Sequence, residues 1–259
     1  EAKDRFKSLK VISLRGNVRF ERVSFRYSDR HPFVINDVSF QAKEGEVIAI
    51  VGRSGSGKTT LARLIGRQAE ISGGKILYDD IDARLIDPAC LQSQIGFVSQ
   101  TPTLFSGSIA QNISLSEDTL NVNAITEAAA AANADTFIDK LPGKYNYRLK
   151  EGGRGLSGGE KQQIAMARII YSHPHILVLD EATANMDPRA ERIISDKLMA
   201  YHGKQTVFVV VQRISTARRA DKIIVMKGGR IVEVGEHNRL LAMNGEYAEL
   251  YRHQVGEGK

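Results

Sequence analysis

Five aliphatic residues, Val47-Ile48-Ala49-Ile50-Val51, run unbroken into Gly52-Arg53-Ser54-Gly55-Ser56-Gly57-Lys58-Thr59. Apolar residues then recur at helical spacing at Leu61, Leu64 and Ile65. A continuous β-favouring run marks a strand buried on both faces, which occurs chiefly in parallel sheets covered by helices. A glycine-rich turn joining such a strand to a helix leaves little architectural freedom, and the chain is expected to be α/β with a mainly parallel central sheet. The turn also carries chemistry. Glycines let several backbone N–H groups converge on one anion, and the following helix points its partial positive charge at the same place. Lys58 adds a full charge suited to β- and γ-phosphates, and the Thr59 hydroxyl suits Mg²⁺. Residues 52–60, including Thr60, are therefore read as a phosphate cradle. The bland alternative is a glycine-rich turn into a helix, but the pattern arises by chance in roughly one chain of this length per hundred.

A second aliphatic run, Ile176-Leu177-Val178-Leu179, ends in Asp180-Glu181. That spacing puts two carboxylates at the C-terminal edge of a parallel sheet, where such sheets keep their ligands. Asp180 is expected to hold Mg²⁺, directly or through its waters. Glu181, next in the chain, faces another side and can polarise an attacking water. One acid alone would be read as a charged cap on a strand; the pair after a phosphate loop is read as a Mg²⁺-ATP hydrolysis site.

The bulk composition limits the alternatives. With 259 residues and 42% hydrophobic content, there is enough material for a full-sized core. No apolar run approaches the ~20 residues needed to cross a bilayer. The chain begins at Glu1 rather than Met and lacks a signal-peptide pattern, so an excised piece of a longer protein is expected. Cys90 is the only cysteine, which excludes an internal disulfide. The net charge of +6 comes from 36 basic and 30 acidic residues scattered along the chain. Scattered charge reads as a solvated surface, and no nucleic acid is expected as a partner. Alternation over Val18, Phe20, Val23 and Phe25, then Val38 and Phe40, predicts a small antiparallel sheet near the N-terminus. Short strands are expected near 75–79 and 95–99. An alanine-rich helix from Ala124 to Ala134 follows, broken at Pro142-Gly143. Strands return at 176–180, 206–211, 223–227 and 231–234, and one final helix is expected near 237–253.

Between the two aliphatic runs lies Leu156-Ser157-Gly158-Gly159-Glu160. Ser157 and Glu160 have the spacing of a capping box for a helix at 158–172, and a capped helix start beside two glycines is itself an anion site. The ordered set of phosphate loop, this segment and the Asp-Glu strand resembles the ATP-binding cassette (ABC) family over about residues 16–253. The resemblance implies a P-loop NTPase core with an N-terminal antiparallel β-subdomain and an inserted α-helical subdomain at about 103–172. Residues 1–15 would be a linker from a missing membrane domain, and 254–259 a tail. It further implies that Tyr27 stacks on adenine, that Gln100 senses Mg²⁺, and that Asp187, in Asp187-Pro188, belongs to the loop crossing between subunits. Ser157, Gly158 and Gly159 would face the γ-phosphate of an ATP held by a second nucleotide-binding domain, in a homo- or heterodimer. The segments 103–113 and Glu151-Gly152-Gly153-Arg154-Gly155 look like those of exporters, of the toxin, peptide and lipid branch. The implied setting is the cytoplasmic face of a membrane, anchored through a transmembrane domain absent from this chain.

Two positions depart from the family pattern. Glu160 stands where the signature usually ends in glutamine, a tolerated change on a helix. Gln212 stands where such exporters have a histidine; its amide can donate to a γ-phosphate but cannot carry charge or titrate near neutral pH. ATP binding should survive and hydrolysis should slow. The rival readings are an ATP-binding regulatory half of an asymmetric pair, which scarcely hydrolyses, and a soluble ABC ATPase of DNA repair or translation.

Overall fold

The computed structural model describes residues 13–115, 120–183, 188–199, 202–211 and 213–256. Strands β1 (Val18–Phe25), β2 (Ile35–Ala42) and β3 (Val47–Gly52) lead into helix α1 (Lys58–Ile65). Then come β4 (Gly73–Tyr78), β5 (Ile81–Asp82), α2 (Pro88–Gln92) and β6 (Ile95–Val98). A mainly helical stretch holds β7 (Gly107–Ser108), α3 (Ile109–Ser114), α4 (Val122–Ala131), α5 (Asp135–Ile138), β8 (Arg148–Leu149) and α6 (Gly158–Tyr171). The chain closes with β9 (Ile176–Asp180), α7 (Pro188–Met199), β10 (Thr206–Val210), α8 (Ile214–Ala217), β11 (Lys222–Lys227), β12 (Arg230–Gly235), α9 (His237–Ala242) and α10 (Glu246–Val255).

The central sheet has the order β12-β11-β3-β10-β9-β6. Its pairs are parallel except β11 with β12. Alternation along its strands sorts side chains into two cores. Val47, Ala49 and Val51, with Leu177 and Leu179, face one core with Ile125, Ile164 and Met166 of the helical stretch. Ile48 and Ile50, with Val178 and Phe208, face the other, filled by Leu61, Leu64 and Ile65 of α1 and by the second sheet. That second sheet, β2-β1-β4-β5, is antiparallel throughout, as the N-terminal alternation predicted. Phe20 stacks on Phe40 at 4.6 Å, and Phe40 meets Phe208 of the central sheet edge-on at 6.2 Å.

Thr206 fastens the two sheets where they start. Fully buried, it donates from Oγ1 to the Gly16 carbonyl at 2.8 Å and accepts from the Gly45 N–H at 3.1 Å. Thr206→Val keeps the shape and orphans both backbone groups. Leaving them unsatisfied should cost about 1–3 kcal/mol, read as a lower urea midpoint with unchanged m-value.

Two expectations are corrected. The single final helix is two, α9 and α10, because Asn244 adopts φ 52° and the chain turns before Gly245. The new helix start is held by Glu233, whose carboxylate accepts from the Glu246 N–H at 2.6 Å and the Tyr247 N–H at 3.0 Å. The alanine-rich helix ends at Ala131, where Asn133 (φ 56°) turns the chain into α5.

Candidate functional site

Strands β3 and β9 flank β10, and the register sets Ile50, Val210 and Asp180 at one level. Two strand spacings, about 10 Å, separate the β3 and β9 ends. The phosphate loop and the carboxylates therefore emerge from the same edge of the sheet. Gly52 turns the chain there at φ 152°, and a Cβ at that position would lie 2.3 Å from the Met226 carbonyl of the neighbouring strand. Only glycine fits so close an approach. Gly57 then begins α1 in the left-handed region with no side-chain cap and no acid in the first turn, so the helix's first N–H groups are left to an outside acceptor.

Lys58 lies almost buried across the loop, its Nζ donating to the Gly52 carbonyl at 2.9 Å and the Arg53 carbonyl at 3.0 Å. Burial pulls its ammonium below the usual lysine range, while the Glu181 and Asp180 carboxylates push it upward. Thr59 Oγ1 donates to Asp180 Oδ1 at 3.0 Å. Asp180 is buried, which raises its carboxyl above the usual range; the Thr59 bond opposes that rise, and the neighbouring Glu181 charge adds to it. Glu181 sits at φ 51°, rare for a residue with a side chain. Its Oε2 accepts from Gln100 Nε2 at 3.0 Å.

Lys58, Thr59, Gln100 and Glu181 border one cleft of about 570 Å³, lined also by Gly52, Arg53, Ser54, Gly55, Gly57 and Thr60; Asp180 is buried behind Thr59 and is not part of the lining. Val34, Leu250 and Gln254 complete it. The residues fit a phosphate-bound Mg²⁺. Thr59 and Asp180 present adjacent hard oxygen donors, and the Ser56 hydroxyl is buried in the loop without a hydrogen-bond partner among the described residues. No cluster of three or more His, Cys, Asp or Glu side chains forms a metal cage among the described residues; a Mg²⁺ held partly by substrate phosphates needs none.

Other expected residues fall outside the cleft lining. Tyr27 stands 59% exposed beside it, edge-on to Phe25, with its hydroxyl 3.2 Å from Thr60 Oγ1. Ser157 caps α6 by the expected capping box: its N–H donates to Glu160 Oε2 at 2.7 Å and its Oγ accepts from the Glu160 N–H at 3.3 Å. Ser157, Gly158 and Gly159 do not line this chain's own cleft. Helix α6 is still tied to it, because Gln162 Nε2 donates to the Gln100 carbonyl at 3.0 Å. Asp187 and Gln212 lie outside the described residues.

Sequence reasoning missed the C-terminal wall. Leu250 falls within the final helix expected near 237–253, and Gln254 within the expected tail. No local signal marks either one, since the loop they face lies some two hundred positions earlier in the chain.

A family model described as "ABC transporter" matches residues 35–184, more than half of the chain. The cyclolysin secretion/processing ATP-binding protein CyaB of Bordetella pertussis is 42% identical over 245 residues, covering 95% of this chain and 34% of that protein. The ATP-dependent lipid A-core flippase of Methylococcus capsulatus is 42% identical over 243 residues, covering 93% of this chain and 40% of the flippase. ABC transporter B family member 13 of Arabidopsis thaliana is 43% identical over 242 residues, covering 93% of this chain and 19% of the plant protein. The chain thus spans well under half the length of the curated relatives it matches. Among solved structures, a bacterial Atm1-family ABC exporter with ATP bound superposes with a TM-score of 0.91 at 36% identity, covering 96% of this chain and 44% of that one. The sheet order, the cradle at its edge and these matches agree: the chain belongs to the ABC transporter family and has the fold of its nucleotide-binding domain.

Proposed function

We propose that this chain is the motor domain of an ABC exporter, which binds Mg²⁺-ATP, pairs head to tail with a second such domain and hydrolyses ATP to drive export of a solute. The observation that carries the reading is the convergence of Lys58, Thr59, Gln100 and Glu181 on one cleft at the sheet edge, with Asp180 bonded to Thr59 behind it. Residues 52–60 cradle the phosphates, and Tyr27 supplies an exposed ring to the base. Thr59, Gln100 and Asp180 would hold Mg²⁺, which would supply charge neutralisation to the phosphates. Glu181 takes the position of the base that orients the attacking water, held meanwhile by Gln100. Ser157, Gly158 and Gly159, lying away from their own cleft, are assigned to the ATP of the opposite subunit, with Asp187 in the loop between subunits.

The same reading divides the chain into a linker to about residue 15, the domain proper over 16–253 with its helical subdomain at 103–172, and a tail. Among the described residues no helix is long and apolar enough to cross a membrane. By the family resemblance, the membrane path is assigned to a transmembrane domain absent from this chain, with this domain on its cytoplasmic face. Arg168 fixes the exporter-like segment 103–113 in place. Its guanidinium donates to the Asn112 carbonyl at 2.7 Å and the Thr103 carbonyl at 2.9 Å, pinning that segment to α6 with Phe105 52% exposed.

Gln212 is assigned the place of the histidine that assists the γ-phosphate. The loss of charge assistance is worth about 1–3 kcal/mol, or roughly five- to 150-fold in rate. Phosphate-release kinetics should therefore show slow hydrolysis by the parent chain and at least several-fold faster hydrolysis by Gln212→His, with little change in ATP affinity. A parent and variant that both clamp ATP without turning it over would favour a regulatory, hydrolysis-poor half of an asymmetric pair.

A further inference from the structure

Arg53 is the second residue of the phosphate loop, yet its guanidinium is held by the C-terminal helix. Its Nε lies 3.3 Å from Glu246 Oε1, and a terminal nitrogen donates to Glu249 Oε1 at 2.5 Å. Glu246, Glu249, Leu250 and Gln254 have the spacing of one helix face, and the last two line the cleft. A residue of the cradle thus ties down the helix that walls it.

The two carboxylates are not equally tied. Glu246 also receives Lys227 Nζ at 2.6 Å, and the helix start is capped by Glu233, so the base of α10 has anchors of its own. Glu249, one turn on, has Arg53 as its close partner, with His253 Nε2 farther off at 3.8 Å. Arg53 and Glu249 are both about half exposed. An ion pair so exposed is weak and readily exchanged. A guanidinium also accepts phosphate oxygens as well as carboxylate oxygens, through the same planar fork.

We propose that Arg53 is a nucleotide-sensitive latch: phosphates entering the loop compete with Glu249 for its guanidinium, so occupancy of the cleft loosens the distal part of the C-terminal helix. The latch rests on the reading that the cleft takes nucleotide phosphates. By reciprocity, Glu249 restrains nucleotide affinity, because the pair must be broken and the carboxylate repels the incoming anion.

The test is hydrogen exchange of the chain with and without saturating Mg²⁺-ADP, beside calorimetry of ADP binding. ADP should speed exchange of the amides at 249–255 several-fold while the base of the helix, held by Glu233 and Lys227, changes little. Glu249→Gln should exchange rapidly there without ADP, show no further response to it, and bind ADP about two- to fivefold more tightly. Arg53→Gln should free the same amides without ADP and guards against a peculiarity of the first variant. Unchanged or slower exchange at 249–255 in a chain that calorimetry shows to be loaded with ADP would overturn the latch and leave the nucleotide site standing. So would unaltered or weaker ADP binding by Glu249→Gln. A parent chain that takes up no ADP would overturn the reading of the cleft, and the latch with it.

Discussion

Lys58→Ala should weaken ATP binding by about 1.5–3 kcal/mol, roughly ten- to 150-fold in Kd by calorimetry. The ammonium is nearly buried and holds two loop carbonyls, so it stands inside the cradle before any ligand arrives. Burial lowers the cost of handing it to phosphate, because a partly desolvated cation gains more from a charged acceptor than one in water. The helix start and the loop N–H groups remain in the variant, so binding should be weakened and not abolished. An affinity equal to the parent's would mean that the phosphates lie elsewhere.

Glu181→Gln acts on a different step. The amide keeps the size of the side chain and its partnership with Gln100, but it cannot accept the proton of an attacking water. General-base catalysis contributes typically 10²–10⁴-fold, so turnover should fall by about that much while ATP still binds. Because closed pairs reopen only after hydrolysis in this account, the variant should accumulate as a dimer under Mg²⁺-ATP, visible by light scattering as a doubling of the 28.6 kDa chain mass. A variant that stays monomeric at tens of micromolar protein with saturating ATP would contradict the head-to-tail assembly.

The parallel core was legible because its strands are short, aliphatic and separated by turn residues, so the run at 47–51 and the run at 176–179 could be read directly. The site was legible for a related reason: its residues lie at the ends of those strands, where chain position alone brings them to one edge. Tertiary pairings were not legible. The Asn244-Gly245 break was present in the sequence as a turn dipeptide, but the apolar spacing of Leu240, Leu241, Tyr247 and Leu250 ran straight through it. What stabilises the break is Glu233, from a strand with no local tie to the helix. Strands β7 and β8 have two residues each, too short for any periodicity, and pair across α3, α4 and α5. Arg53 read as part of the cradle, whereas its side chain is spent on α10.

If this cleft hydrolyses ATP as one half of a closed pair, phosphate release from Mg²⁺-ATP must depend on protein concentration. Activity per mole of chain should rise with protein concentration, as separate domains find one another, and should all but vanish in Glu181→Gln at every concentration. Phosphate release that stays constant per mole and is indifferent to Glu181→Gln, or that never exceeds the buffer blank in the parent, would contradict it.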